Sequence, residues 1–159
     1  MTFSVCDLCD AHEDRIQVAD PIFRDFGGRL TFGGKIATIS CHEDNSLVRD
    51  AVASPGEDRV LIVDGGGSLQ RSLLGDRLAG KACENGWQGI IVHGAIRDIE
   101  VIADIDIGVK ALNVIPLKTE KRGLGERDVP VRFAGVTFTP GAYVYADRNG
   151  VIVSEAALV

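Results

Sequence analysis

The stretch from Gly75 to Asp98, GDRLAGKACENGWQGIIVHGAIRD, constrains the fold more than any other part of this 159-residue chain. Leu78, Ala79, Ala82 and Cys83 recur at helical spacing, and Gly86 stands where such a helix stops. Gly89-Ile90-Ile91-Val92-His93 follows as a short apolar run of the kind a buried parallel strand shows. The segment therefore reads helix, turn, strand, loop. A helix of about 10 residues rises about 15 Å, and a returning strand of about 5 residues covers about 16 Å. The strand end thus comes back level with the helix start. Arg97 and Asp98, separated from Asp76 by twenty residues, are expected beside Asp76 and the amides of Gly75 to Leu78.

Such a constellation has a chemical use. A helix start offers unpaired N–H groups and partial positive charge to a carboxylate, and a glycine there lets a ligand approach the backbone. The planar fork of Arg97 matches carboxylate or enolate oxygens, with charge-assisted bonds of about 1.5–3 kcal/mol each. Aspartate is a hard oxygen ligand, and one carboxylate with several waters is an ordinary site for magnesium or manganese. Together these groups suit a 2-oxo acid and the enolate formed when its C–C bond breaks. The same residues also fit a surface Arg-Asp pair, with Asp76 favoured in a first helical turn by the macrodipole, so spacing alone leaves both readings open.

Elsewhere the pattern is strand-rich. Lys35 to Cys41 alternates as a strand, Leu47, Val48, Ala51 and Val52 share a helical face, and Arg59 to Val63 reads as a buried strand. Phe23 to Phe32, with Gly27-Gly28 inside it and Gly33-Gly34 after it, suggests short strands turning tightly. Ile99 to Ile105 is expected to be a short helix, with strands at Ile107 to Leu112 and Val114 to Leu117. Further short strands are expected at Val129 to Phe133, Val136 to Phe138, Ala142 to Tyr145 and Val151 to Val153. Strand-helix alternation between β-rich ends predicts one layered α/β domain over residues 1–159.

Composition narrows the function classes. A net charge of -6 lacks the basic footprint that nucleic acid needs, so no nucleic-acid ligand is expected. No apolar stretch reaches membrane-spanning length and no export signal opens the chain, so neither membrane association nor secretion is expected and the cytoplasm follows. Cys6, Cys9 and His12 could form half a zinc site completed by Cys41 and His42, but a helix over Ser4 to His12 makes Cys9 a small core residue instead. The turn Asp64-Gly65-Gly66-Gly67-Ser68 lacks the spacing of a dinucleotide or Walker loop, and an S-adenosylmethionine site is doubtful there for the same reason. Its glycines are expected to pass beside a ligand held at Gly75 and Arg97. His93 reads either as an acid or base or as a packed strand-end histidine. Lys118 to Asp128 reads as a charged mobile loop at the surface, with a lid as the alternative.

The run VLIVDGGGSLQRSLLGDRLAGKACENGWQGIIVHGAIRD, with DLCDA before it and DIDIGVKAL and GVTFTPGAYVYADRNGVIV after it, resembles the family of regulator of ribonuclease activity A proteins and 4-hydroxy-4-methyl-2-oxoglutarate aldolases, over about residues 5 to 155. The aldolases are similar in carrying Asp, twenty residues, then Arg-Asp. Many relatives instead have Gly at the first position and an extra acid three residues after the second Asp, where this chain has Val101. The resemblance implies Asp98 as ligand of a divalent cation, magnesium or manganese, and Gly75, Asp76, Arg77, Leu78 and Arg97 as substrate contacts. It implies Arg97 and Asp76 as the catalytic pair, Asp76 acting as a second acid near the metal waters. It further implies a β/β/α swivelling-type domain and a homotrimer with its site at subunit contacts. The activity it implies is retro-aldol cleavage of 4-hydroxy-4-methyl-2-oxoglutarate to two pyruvates, with oxaloacetate decarboxylation beside it. The alternative it carries is a regulator that binds and inhibits an RNA-degrading endonuclease.

Overall fold

In the computed structural model, which describes residues 2–159, helices and strands alternate only in the middle of the chain. α1 (Val5–His12) and a 3-10 turn (Glu13–Arg15) lead into β1 (Ile16–Val18), β2 (Arg24–Asp25) and β3 (Phe32–Ser40). Then come α2 (Ser46–Val52), β4 (Val60–Asp64), α3 (Asp76–Glu84), β5 (Gly89–Ile96), α4 (Ile99–Ile102) and β6 (Gly108–Val114). The remaining elements are β7 (Glu126–Arg127), β8 (Val131–Phe133), β9 (Val136–Phe138), β10 (Tyr143–Asp147) and β11 (Gly150–Ser154). Nine strands make one sheet in the order β1-β11-β10-β3-β4-β5-β6-β2, with β7 added on β3, while β8 and β9 pair separately. β3 to β6 run parallel, and β10, β11, β1, β2 and β7 join antiparallel.

The parallel strands are apolar on both faces because both faces are covered. Along β4, Leu61 and Val63 pack with Val48 and Ala51 of α2 and with Ala79 and Ala82 of α3, whereas Val60 and Ile62 join Phe133, Phe138 and Val144 on the opposite side. β5 divides in the same way, Ile90 and Val92 toward the helices and Ile91 toward the β-rich layer. Each fully buried aliphatic chain contributes about 1.5–3 kcal/mol, which makes this two-sided middle layer the main source of cohesion. The result is a mixed α/β architecture with β, β and α layers. α1 lies apart from the other helices, its Val5 and Leu8 packed on Tyr145 and Ile152.

Several local expectations need correction. Gly33 and Gly34 sit inside β3 rather than in a turn, because β10 pairs with Phe32 to Lys35. The two strands expected across 107–117 are a single β6: Asn113 stays in the strand, and its side-chain oxygen accepts the Val114 amide at 2.9 Å. α4 ends at Ile102 rather than Ile105, since the chain must turn there to enter the sheet, and Gly28 N donates to Ile105 O at 2.9 Å. The 118–128 segment lies at the surface as expected, with residues 120–128 exposed, but it is tied to the body of the protein. Thr119 is buried, and Glu126–Arg127 pairs with β3.

Candidate active site

β5 runs beyond His93 because a bulge between Val92 and Ala95 lets it continue to Ile96. The segment before α3 returns along that extension, with Leu73 N donating to Ala95 O and Arg97 N to Leu74 O, both at 2.9 Å. These two bonds set Gly75 beside Arg97. Asp98 then adopts the left-handed conformation, φ 58° and ψ 38°, which aspartate tolerates better than most residues. From there its carboxylate reaches back over the start of α3, and Asp76 N donates to Asp98 Oδ2 at 3.2 Å. Gly75 caps α3 with no side chain of its own, so the cap comes from Asp98. A Cβ on Gly75 would stand 2.6 Å from that same oxygen. Glycine is required here by close approach, not by its backbone angles, which are extended.

Gly75, Asp76, Arg77, Leu78, Arg97 and Asp98 all line one cleft of about 370 Å³. The six residues singled out from the sequence therefore lie together. Asp98 Oδ2 has the Asp76 amide and, at 3.8 Å, Arg97 Nε, while Oδ1 accepts no hydrogen bond among the described residues. Arg97 Nη1 donates to Pro116 O at 3.3 Å, which steadies the guanidinium at the rim. The amides of Arg77 and Leu78 precede the first helical bond, Ala79 N to Gly75 O. Five further residues complete the lining: Asn45, Arg49, Ser72, Lys118 and Lys121. Sequence reasoning missed all five. Lys118 and Lys121 belong to the segment read as loop or lid, which was their only signal, and Arg49 and Asn45 gave none. With Arg49, Arg77, Arg97, Lys118 and Lys121 facing Asp76 and Asp98, the cleft carries an excess of positive charge and favours a ligand with more than one carboxylate.

His93 lies outside this cleft. Its ring stacks on Phe133 with centroids 4.6 Å apart, and its Nδ1 is 3.4 Å from Asp64 Oδ1. The bond from His93, opposed by burial and aided by the Gly66 amide, holds the Asp64 carboxyl below its usual range. The glycine turn packs on this histidine instead of on the cleft. Gly65 N and Gly67 N donate to His93 O, both at 3.1 Å, and Gly66 N donates to Asp64 Oδ1 at 2.9 Å. The expectation that this turn passes beside the ligand is thus corrected, and its amides are already spent on the protein. A second depression of about 570 Å³ opens between Cys41–Asp44 and Glu120–Glu126, but none of the six predicted residues lines it. The cysteines do not converge: Cys9, within α1, packs against the cluster that contains Tyr145 and Ile152, while Cys41 is buried under α2, where burial first, and then Asp44 and Asp64, push its thiol up to about 12.

The Aldolase/RraA model of the RraA-like family matches residues 5–153. The chain belongs to the RraA-like family. A relative in Ectopseudomonas mendocina, named "Putative 4-hydroxy-4-methyl-2-oxoglutarate aldolase", is 60% identical over 158 residues, covering 99% of this chain and 98% of that one. One of the same name in Pseudomonas aeruginosa PAO1 is 59% identical with the same coverage. Among solved structures, the RNA-processing inhibitor RraA from Thermus thermophilis superposes with a TM-score of 0.95 at 41% identity, covering 100% of this chain and 96% of that one. An S-adenosylmethionine: 2-dimethylmenaquinone methyltransferase from Geobacillus kaustophilus superposes with a TM-score of 0.94 at 49% identity, covering 98% and 97%. Proteins similar to this chain thus carry three different functional names, two of them on solved structures of nearly its shape, and the choice among them rests on the site. No helix among the described residues is long and apolar enough to cross a membrane.

Proposed function

We propose that this RraA-like protein is a divalent-metal-dependent lyase that cleaves 4-hydroxy-4-methyl-2-oxoglutarate into two pyruvates and, secondarily, decarboxylates oxaloacetate. The observation that carries the reading is the Asp98 carboxylate in the cleft, fixed through Oδ2 by the helix start and with Arg97 Nε 3.8 Å from that oxygen, while Oδ1 accepts no hydrogen bond among the described residues. The residues present fit a hard cation. Among the described residues no group of three or more His, Cys, Asp and Glu forms a metal cage, so the ion that suits Asp98 is one that keeps most of its waters, magnesium or manganese. Asp98 would hold it, with Asp76 near its waters. The bound ion supplies Lewis acidity toward the 2-oxo and carboxylate oxygens of the substrate.

The chain's own groups do the rest. Arg97 presents its guanidinium to the same oxygens and stabilises the enolate as negative charge develops there. The open amides of Arg77 and Leu78 add the positive end of α3. Asp76 takes the proton of the 4-hydroxyl through a water. The C3–C4 bond breaks, its electron pair enters the enolate, and C4 becomes the carbonyl carbon of the first pyruvate. Protonation of the enolate at C3 gives the second. Oxaloacetate loses carbon dioxide to the same enolate and has no hydroxyl proton to remove. The remaining basic residues offer a counter-charge to the second carboxylate of either substrate. A cytoplasmic homotrimer is part of this proposal on the family's account, and sedimentation equilibrium reads the trimer directly.

Pyruvate release from both compounds, measured with magnesium or manganese and with chelator, tests the reading. Metal-dependent turnover above the metal-only control, lost in Asp98→Ala, is the expected result. The resemblance to the Thermus RNA-processing inhibitor supports the other reading, a ribonuclease-binding regulator. Folded protein without turnover that captures a ribonuclease scaffold in a pull-down would move the assignment there.

A further inference from the structure

Asp44 lies outside every role assigned so far, yet it is one of the most heavily bonded side chains in the protein. It is buried, 2% exposed, and stands two residues before α2. Its Oδ1 accepts the Ser46 amide at 2.9 Å and the Ser46 hydroxyl at 2.6 Å. Its Oδ2 reaches across the chain to accept the amides of Arg122 at 2.8 Å and Leu124 at 3.2 Å. Between those two, Gly123 N donates to Ser46 Oγ at 3.0 Å. Three successive amides of the 118–128 segment are therefore held by one carboxylate and the hydroxyl that it orients. Burial works to raise the Asp44 pKa, but the bonds from Ser46, Arg122 and Leu124 outweigh it and bring the group to about 2, so it remains an anion.

A second tie lies just upstream. Thr119 Oγ1 donates to Asn45 Oδ1 at 2.7 Å, and Asn45 Nδ2 donates to Leu73 O at 3.2 Å. Leu73 belongs to the strand-like segment that delivers Gly75 to the site. Lys121 falls between the two ties and lines the same cleft as the helix start, together with Arg49 from α2. An unrestrained glycine-containing loop would spread that charge over many positions, and ordering it only when ligand binds would cost affinity.

We propose that Asp44 is a positioning residue which, through Ser46 and the amides of residues 122–124, holds Lys121 at the cleft as the counter-charge for the distal carboxylate of a dicarboxylate 2-oxo acid. The inference rests on the cleft assigned above as the substrate site. Asp44 touches no substrate. Its effect falls on the half of the ligand that is remote from Asp98, so binding of a dianion and of a monoanion must respond differently.

The test is titration calorimetry with the whole chain and magnesium, using 2-oxoglutarate, a dianion without the 4-hydroxyl that cleavage needs, and pyruvate, a monoanion. Asp44→Asn is expected to weaken 2-oxoglutarate about tenfold while pyruvate stays within about twofold, and Lys121→Ala is expected to do the same. In the double variant the losses do not add, because both changes remove one interaction. Ser46→Ala and Thr119→Val, which keep the buried carboxylate, serve if Asp44→Asn fails to fold, and they are expected to shift 2-oxoglutarate in the same direction. Faster hydrogen exchange of the Arg122, Gly123 and Leu124 amides in the variants reports the loosened segment. Equal effects on the two ligands, no effect on either, or no binding of 2-oxoglutarate to the wild type overturns the proposal. Turnover measured in parallel separates the two readings. A binding difference without wild-type turnover keeps the positioning role and sinks the lyase, and turnover without the difference does the reverse.

Discussion

Gly75→Ala is the sharpest probe of the site. The new Cβ would lie 2.6 Å from Asp98 Oδ2, 3.5 Å from Arg97 Nε and 3.6 Å from Arg97 Cγ. Ordinary contact begins near 3.4 Å, so the carboxylate must withdraw by about 0.8 Å, and its 3.2 Å bond from Asp76 N is lost. Backbone strain does not enter, because Gly75 has φ -126° and ψ -171°, a region open to alanine. The folding cost is therefore that of a lost helix cap, about 1 kcal/mol, or a fall of about 2–4 °C in Tm for a chain of this length. The cost to catalysis is far larger, since displacing a reacting group by about 1 Å lowers the rate about 100-fold. Steady-state pyruvate release from 4-hydroxy-4-methyl-2-oxoglutarate, run beside a thermal melt, checks both numbers. A folded Gly75→Ala protein with wild-type kcat/KM would refute the placement of Asp98 at the chemistry.

Gly80 supplies the contrast, for a Cβ there meets nothing within 4 Å in the interior of α3. Gly80→Ala should add about 0.5–1 kcal/mol of stability, read as a higher Tm with unchanged kcat/KM. His93→Gln should leave kcat/KM within about threefold, because the ring is engaged with Phe133 and Asp64 and does not line the cleft. A pH-dependent loss of activity confined to that variant would return His93 to the reaction. Asp44 should show in acid unfolding. Its pKa in the fold, about 2, lies below the ordinary 3.8, so its stabilisation is complete above 3.8 and is lost as pH falls from there toward about 2. The Tm difference between wild type and Asp44→Asn should accordingly stay level above about pH 5 and shrink below about pH 4.

What the sequence disclosed, and what it hid, follows the range of the interactions involved. The return of β5 to the start of α3 was legible because helix rise and strand rise fix it locally; the glycine at position 75 was read as room for a ligand, whereas the group that comes close to it is the Asp98 carboxylate. The two-faced apolarity of β4 and β5 announced a covered parallel sheet for the same reason. The bulge after Val92 was not legible, nor was the left-handed turn at Asp98, since both depend on how β6 and the 72–74 segment pair with the strand end. Charge and glycine content made residues 118–128 look mobile. Their order comes from bonds to Asp44 and Ser46, which lie 77 to 80 positions away and leave no periodic trace. Lys121 and Arg49 were hidden with them.

The arrangement around Asp98 couples the start of α3 to the end of β5 through a single side chain. One carboxylate serves two purposes: Oδ2 replaces the side-chain cap that Gly75 cannot provide, and Oδ1 accepts no hydrogen bond among the described residues, in a side chain that lines the cleft. The cap needs glycine at 75 because the oxygen comes so close. The open oxygen needs Asp98 in its left-handed conformation, at a cost of order 1–3 kcal/mol that the surrounding bonds must hold in place. Those bonds are backbone bonds from Arg97 N to Leu74 O and from Leu73 N to Ala95 O, indifferent to side-chain identity. A substitution elsewhere in the cleft can therefore change what it binds while the helix start and strand end keep their registration. The basic wall at Arg49, Lys118 and Lys121 is carried by other parts of the chain, so changing it leaves that frame in place, and one shape can carry more than one function.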